Sequence, residues 1–133
     1  PPPPPPPTAS SAASDVYKRQ VQGRTESDAE KIYRDAVSLQ EAGCFAMVLE
    51  CVPQHLGRQI TQSLDIPTIG IGAGSYTDGQ VLVLQDMLGM QPNFKPKFLR
   101  HYLDGHRQLS DAVNAFHYDV SKGTFPNCEE VYR

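Results

Sequence analysis

Glu50 is the residue whose type and position best suit chemistry. It directly follows an apolar run of strand length, residues 45–49 (FAMVL). Parallel α/β proteins place catalytic groups at the carboxyl ends of such strands, and a carboxylate held there can act as a general base. The competing interpretation is a surface glutamate that caps the next helix or pairs with Arg58. Position alone leaves both interpretations open.

A glycine-rich segment, residues 70–75 (GIGAGS), is the second feature that could contact a ligand. Its G-x-G-x-G spacing departs from the dinucleotide-binding fingerprint, and no long helix with an acidic residue about 20 positions on follows it. We therefore expect these glycines to let the backbone approach a ligand or a neighbouring loop closely. Asp78 and Gly79 form a turn signal. Asp86 is interpreted as a cap of a helix or turn rather than as a site residue.

Residue types that bind metals or carry redox chemistry are scattered along the chain. The four histidines show no H-E-x-x-H spacing, and the three cysteines lack the C-x-x-C spacing of a zinc or redox site. We expect surface histidines and free thiols, two of the thiols being buried. The sequence thus offers no metal ligand and no cofactor-binding residue among these side chains, which are His55, His101, His106, His117, Cys44, Cys51 and Cys128.

Composition narrows the class of partner. The net charge is −3, with no basic stripe of the kind that binds nucleic acid or an anionic membrane. No apolar run approaches the roughly 18–20 residues that span a bilayer, and the N-terminus lacks the order of a signal peptide. We expect a soluble cytoplasmic protein without nucleic-acid or membrane partners.

Residues 1–20 have the composition of a leader rather than of a folded segment. Residues 1–14 (PPPPPPPTASSAAS) contain a proline run and small residues with nothing to bury. A proline-rich ligand would usually carry a flanking basic residue, which this run lacks. Residues 15–20 (DVYKRQ) resemble the translation of a transposon end used in sequencing libraries. We expect a non-native or disordered leader over 1–20 and a fragment of a longer protein over 21–133.

The apolar pattern after Val21 predicts alternating helices and strands. A capping box from Ser27 to Glu30 predicts the start of the first helix, and Gly43 its end. The βαβ order predicts a parallel α/β sheet with the first two helices on one side, and the unbroken apolar run before Glu50 predicts a strand covered on both faces. The predicted strands lie near 45–50, 68–72 and 80–85, and the predicted helices near 27–42, 54–64, 96–103 and 105–121.

Several collinear segments resemble the ketopantoate hydroxymethyltransferase family over essentially all of residues 21–133. The closing residues 127–133 (NCEEVYR) depart from the usual ending of the family. The segments that carry the resemblance are 21–24 (VQGR), 49–53 (LECVP), 69–74 (IGIGAG), 77–80 (TDGQ), 86–89 (DMLG), 96–98 (PKF) and 123–126 (GTFP).

This resemblance implies a (β/α)8 barrel, of which the chain holds the sixth, seventh and eighth strands and their helices. A complete barrel needs roughly 250 residues. The family transfers a hydroxymethyl group from 5,10-methylenetetrahydrofolate, its co-substrate, to 3-methyl-2-oxobutanoate, giving 2-dehydropantoate in pantothenate biosynthesis. By resemblance, Glu50 is the base that removes the C3 proton of the keto acid. The resemblance also implies that the Mg²⁺ ligands lie in the missing N-terminal part and that the full-length protein is a homo-oligomer.

Two alternatives remain at this point. One is a fragment of another Mg²⁺-dependent barrel enzyme that acts on α-keto acids, of the phosphoenolpyruvate mutase or lyase type, which the sequence upstream of Val21 would discriminate. The other concerns this polypeptide alone: a non-catalytic partial barrel whose exposed sheet edge pairs with other chains. We expect the isolated fragment to be inactive.

Overall fold

The structure, a computed structural model, describes residues 21–132, so the predicted leader lies outside the described residues. The chain divides between Val81 and Leu82 into two compact units. The first unit contains helix α1 (Glu26–Glu41), strand β1 (Met47–Glu50), helix α2 (Gln54–Ser63), strand β2 (Thr68–Ile71) and strand β3 (Gly79–Gln80). The second contains helix α3 (Leu84–Met87) and helix α4 (Gly105–Lys122).

Helix α1 begins earlier than the sequence predicts. Its N-cap is Thr25, whose Oγ1 accepts a hydrogen bond from the Asp28 N–H at 3.1 Å, so the predicted Ser27 cap is wrong. Thr25 and Ser27 are each followed three positions later by an acidic residue, as the cap pattern requires. Thr25 has the extended backbone that an N-cap residue adopts. The predicted end is confirmed, because Gly43 adopts a left-handed φ of +96° directly after the helix.

The first unit contains a parallel sheet in the order β1-β2-β3, which confirms the predicted α/β class. In β1 and β2, Met47 pairs with Thr68 and Glu50 pairs with Ile71. The predicted strands 45–50 and 68–72 are therefore present, each slightly shorter than predicted. Helix α2 forms the crossover between them, as a parallel connection requires.

The predicted strand 80–85 is largely wrong. Strand β3 covers only Gly79–Gln80, and the Val81 N–H donates to the Gly70 carbonyl at 3.0 Å as the last bond to β2. The chain then enters α3, where the Met87 N–H donates to the Val83 carbonyl at 2.9 Å. A short apolar run suits a buried strand and a helix equally well, so its pattern could not decide between them.

The core of the first unit lies between the sheet and helices α1 and α2. Met47 and Leu49 of β1 are buried against Ala36 of α1 and against Leu56 and Ile60 of α2. Both helices therefore pack on one side of the sheet, as predicted. The opposite face of β1 is uncovered, because Val48 is 62% exposed and Glu50 is also exposed, so the predicted cover on both faces is wrong for this chain.

The second unit is dominated by α4, which confirms the predicted helix 105–121 to within one residue. The predicted helix 96–103 is wrong, because that segment contains only a turn, in which the Leu99 N–H donates to the Pro96 carbonyl at 3.0 Å. The predicted apolar face of α4 is present but exposed among residues 82–132, at Leu109, Ala112, Val113, Phe116 and Val120.

Candidate active site

Glu50 is the last residue of β1, at the carboxyl end of the parallel sheet. Its side chain is exposed and follows the exposed Val48 on the face opposite to Leu49, which packs against the helices. Within residues 21–132, no hydrogen bond or ion pair holds its carboxylate. The predicted placement at the carboxyl end of a strand is confirmed.

The competing interpretation of Glu50 as a partner of Arg58 is wrong. Arg58 lies on α2, and its guanidinium carbon lies 4.8 Å from the centre of the Tyr76 ring. Arginine stacks favourably on an aromatic face in this way, so its charge has another partner. Glu50 is left facing the uncovered side of the sheet.

Cys51 directly follows Glu50, and among residues 21–132 it is the one cysteine whose thiol is buried. It is 2% exposed, and burial raises the pKa of its thiol, with the negative charge of Glu50 adding to that rise. Such a thiol stays protonated and is a poor nucleophile. Cys44 is half-buried and Cys128 exposed, so the prediction of two buried thiols is wrong by one, and all three thiols are free as predicted.

The glycine-rich segment approaches neighbouring parts of its own unit closely. A Cβ placed on Gly70 would lie 2.6 Å from the Thr77 Oγ1, and one on Gly74 would lie 2.5 Å from the Gln54 Cγ. The Gln80 Nε2 donates to the Gly74 carbonyl and to the Thr77 Oγ1, each at 2.8 Å. The expected close approach is thus confirmed, and the glycine backbone approaches neighbouring segments of the same unit.

Asp78 has a role that its turn signal did not indicate. Its Oδ2 accepts hydrogen bonds from the Thr68 N–H at 2.8 Å and from the Thr68 hydroxyl at 3.0 Å. These bonds lower the pKa of the Asp78 carboxyl. The Thr68 hydroxyl also lies 2.8 Å from the Thr61 hydroxyl of α2, so this chain of contacts joins the loop before β3 to the strand and the helix.

The remaining candidate residues do not gather into a site. Among residues 21–132, no three histidine, cysteine or acidic side chains are grouped so that they could hold a metal ion. His101 lies 3.2 Å from the Phe94 carbonyl, and the other three histidines are exposed, so the prediction of surface histidines holds for those three. Asp86 lies in the first turn of α3, where a negative charge is favourable, but the N-cap is Val83.

Comparisons with known proteins bear on this arrangement. The sequence model of one family, described as ketopantoate hydroxymethyltransferase, matches residues 9–128. A relative from Francisella tularensis strain SCHU S4 is 55% identical over 113 residues, which cover 85% of this chain and 43% of the relative. A relative from Bdellovibrio bacteriovorus is 56% identical over 113 residues, with the same coverage of 85% and 43%.

A third relative, from Aliarcobacter butzleri, is 50% identical over 113 residues, which cover 85% of this chain and 42% of the relative. All three relatives are named 3-methyl-2-oxobutanoate hydroxymethyltransferase. The chain therefore spans less than half of the length of the relatives that it matches. The matched 113 of 133 residues include the strand that carries Glu50 and the glycine-rich segment.

Proposed function

We propose, because this chain belongs to the ketopantoate hydroxymethyltransferase family, that the full-length protein containing it transfers a hydroxymethyl group to 3-methyl-2-oxobutanoate. The donor is 5,10-methylenetetrahydrofolate and the product is 2-dehydropantoate, a step of pantothenate biosynthesis. The observation that carries the proposal is 55% identity to a relative of that name over 85% of this chain. We call the full-length protein the parent.

The fold we propose for the parent is a (β/α)8 barrel in which β1, β2 and β3 are the sixth, seventh and eighth strands. A parallel sheet with both helices on one face supports it, because a barrel keeps its helices outside and its other face inside. The exposed Val48 supports it further, since an interior face needs apolar side chains. Two-residue β3 is shorter than the other two strands of the sheet.

In this proposal Glu50 is the general base that removes the C3 proton of the keto acid. A barrel interior around β1 would place the carboxylate at the mouth, where barrel enzymes bind their substrates. It carries no competing hydrogen bond or ion pair within residues 21–132, so both oxygens are open to a substrate. Removing a proton needs an acceptor within hydrogen-bond reach of the carbon's hydrogen, and Glu50 is the carboxylate that the sheet directs to that face.

The described residues do not fit a Mg²⁺ site. They bring no three acidic, histidine or cysteine side chains together, and Mg²⁺ prefers an octahedral shell of oxygen ligands. We therefore assign the Mg²⁺ ligands to the part of the parent that this chain lacks. For the same reason we propose that the isolated chain is inactive.

The three relatives named above are all hydroxymethyltransferases, so none of them supports the lyase alternative. No helix among residues 21–132 is long and apolar enough to cross a membrane. We also propose that the parent acts in the cytoplasm and forms a homo-oligomer. The exposed apolar face of α4 supports an oligomer, because such a face is usually covered in the native protein.

The experiment supplies the purified parent with 3-methyl-2-oxobutanoate, 5,10-methylenetetrahydrofolate and Mg²⁺, and measures 2-dehydropantoate by mass spectrometry. We expect product that depends on both organic substrates. The matched control is the 133-residue chain under the same conditions, for which we expect none. Recovery of both substrates unchanged from the parent would overturn the proposal, and cleavage of the keto acid would point to the lyase alternative.

A further inference from the structure

Cys51 has a backbone conformation that residues with a side chain seldom adopt. Its φ is +52°, and it is the one non-glycine residue with positive φ among residues 21–132. A Cβ crowds the neighbouring carbonyl oxygen in this conformation, so it persists only where surrounding contacts enforce it. Residues held in this way cluster at functional sites.

Three contacts hold Cys51 in place. Its N–H donates to the Ile71 carbonyl at 2.9 Å, which extends the bonding to β2 one residue beyond the end of β1. Its carbonyl accepts from the Gln22 N–H at 2.7 Å. Its side chain is 2% exposed. Both backbone polar groups and the side chain are therefore fixed at once.

This backbone conformation ends the alternation of buried and exposed side chains along β1. Leu49 is buried and Glu50 is exposed, so a regular strand would bury Cys51 and expose Val52. Val52 is instead buried in the core beside Leu49. The left-handed residue thus turns two consecutive side chains inward directly after Glu50, and Glu50 is the last side chain that faces the uncovered side of the sheet.

We propose that Cys51 is a positioning residue, which fixes the direction of the Glu50 carboxylate through its left-handed backbone and its two backbone hydrogen bonds. The inference rests on the proposed function of Glu50 as the base. The sulfur itself takes no part in the reaction, because the thiol is buried and stays protonated. The side chain is therefore replaceable as long as the backbone conformation is kept.

The test compares Cys51→Ala, Cys51→Val and Cys51→Gly in the parent, by the rate at which deuterium replaces the C3 hydrogen of 3-methyl-2-oxobutanoate. Alanine tolerates the left-handed conformation as cysteine does, so its rate should stay near that of the parent. Valine is β-branched and resists positive φ, so its rate should fall by roughly 10²-fold, the usual effect of a misplaced group. The KM for the keto acid should change little in either variant, which a general loss of structure would not produce.

Glycine keeps the inference testable if the valine variant fails to fold. It adopts positive φ without strain, so the variant should keep the backbone conformation and exchange at a rate near that of the parent. Valine exchanging at the alanine rate, or glycine exchanging roughly 10-fold more slowly than alanine, would overturn the inference. Alanine as slow as valine would also overturn it, since the sulfur would then be needed.

Amide hydrogen exchange at residue 51 separates this inference from the proposed function. The bond from its N–H to the Ile71 carbonyl should protect the amide in the parent, in Cys51→Ala and in Cys51→Gly, and protection should fall in Cys51→Val. This readout needs no reaction. A parent that never exchanges the keto-acid hydrogen but shows this protection pattern would sink the proposed function alone, whereas equal protection in all variants would sink the inference.

Discussion

Thr68 directs two donors at one carboxylate oxygen of Asp78. Its N–H lies 2.8 Å and its hydroxyl 3.0 Å from the Asp78 Oδ2, and the Asp78 N–H donates in turn to the Thr68 hydroxyl at 3.3 Å. Thr68 is fully buried at the first position of β2. The loop that follows β2 is therefore anchored back to the start of the same strand, which fixes the segment between β2 and β3.

This anchor predicts a pH dependence of stability. The two hydrogen bonds hold the pKa of the Asp78 carboxyl below its ordinary value of 3.8, so the folded state favours the charged form. A carboxyl with a lowered folded pKa adds stability above its unfolded pKa and loses it as the pH falls through the folded value. The midpoint of urea unfolding should therefore fall as the pH drops below about 4.

Asp78→Asn keeps an oxygen acceptor but removes the charge. We expect a lower urea midpoint at neutral pH and a shallower loss of stability in acid, because the charged form no longer contributes. Asp65→Asn is the matched control, since Asp65 is exposed and its carboxylate makes no hydrogen bond or ion pair within residues 21–132. Identical pH profiles for the two variants would contradict the prediction.

Gly74 should not tolerate a methyl group. Its φ is +83°, and an added Cβ would lie 2.5 Å from the Gln54 Cγ. Gly74→Ala should cost about 1–2 kcal/mol of unfolding free energy in backbone strain and roughly 1–3 kcal/mol more in crowding. Gly43→Ala measures the strain alone, because its φ is +96° and nothing lies within 4 Å of its added Cβ.

Part of the crowding cost should be removable. Gln54→Ala in the Gly74→Ala background takes away the Cγ at 2.5 Å and the Oε1 at 2.9 Å that the new methyl group meets, but keeps the Cβ at 2.7 Å. The double variant should then lie between Gly74→Ala and Gly43→Ala in its loss of unfolding free energy, measured by urea denaturation. A double variant no more stable than Gly74→Ala would show that crowding against Gln54 is not the cause.

The sequence predicted the position of Glu50 because the feature that marks it is local. An apolar run followed by a carboxylate predicts a strand end, and the register of Glu50 with Ile71 confirms it. The conformation of Cys51 had no such signal, since positive φ is expected of glycine or asparagine and is imposed here by contacts with Ile71 and Gln22. The partner of Asp78 was hidden for the same reason.

The errors at the ends of elements also have physical causes. Thr25 and Ser27 both satisfy the pattern of a helix cap, so the pattern alone could not decide between them. Residues 80–85 are apolar enough for a strand, but among residues 21–132 no strand pairs with β3 on its outer side, and the chain forms α3 instead. Local preference yields to tertiary context in that segment.

The free edge of β1 should accept a further strand. In a parallel pair alternate residues bond to the neighbour, so the amides of Val48 and Glu50 face away from β2. If the proposed barrel is correct, the N-terminal part of a relative, added as a separate chain, should pair there. Amide exchange at Val48 and Glu50 should slow on mixing, and exchange in α4 gives the comparison. Unchanged exchange at both β1 amides would count against the barrel.

Glu50→Gln tests the proposed base directly. Glutamine keeps the shape of the side chain but cannot accept the C3 proton, so binding of 3-methyl-2-oxobutanoate to the parent should largely survive. Turnover should fall by roughly 10²–10⁴-fold, the usual contribution of a positioned general base. Hydrogen–deuterium exchange at C3 of the keto acid isolates the step, because it needs the base but no folate.

The control for that variant is Glu41→Gln. Glu41 is an exposed glutamate at the end of α1, and its carboxylate makes no hydrogen bond or ion pair within residues 21–132. It should exchange the C3 hydrogen at the rate of the parent. The isolated 133-residue chain should not catalyse the exchange, because its described residues group no side chains that could hold Mg²⁺. A Glu50→Gln variant that exchanged as fast as Glu41→Gln would show that another group removes the proton.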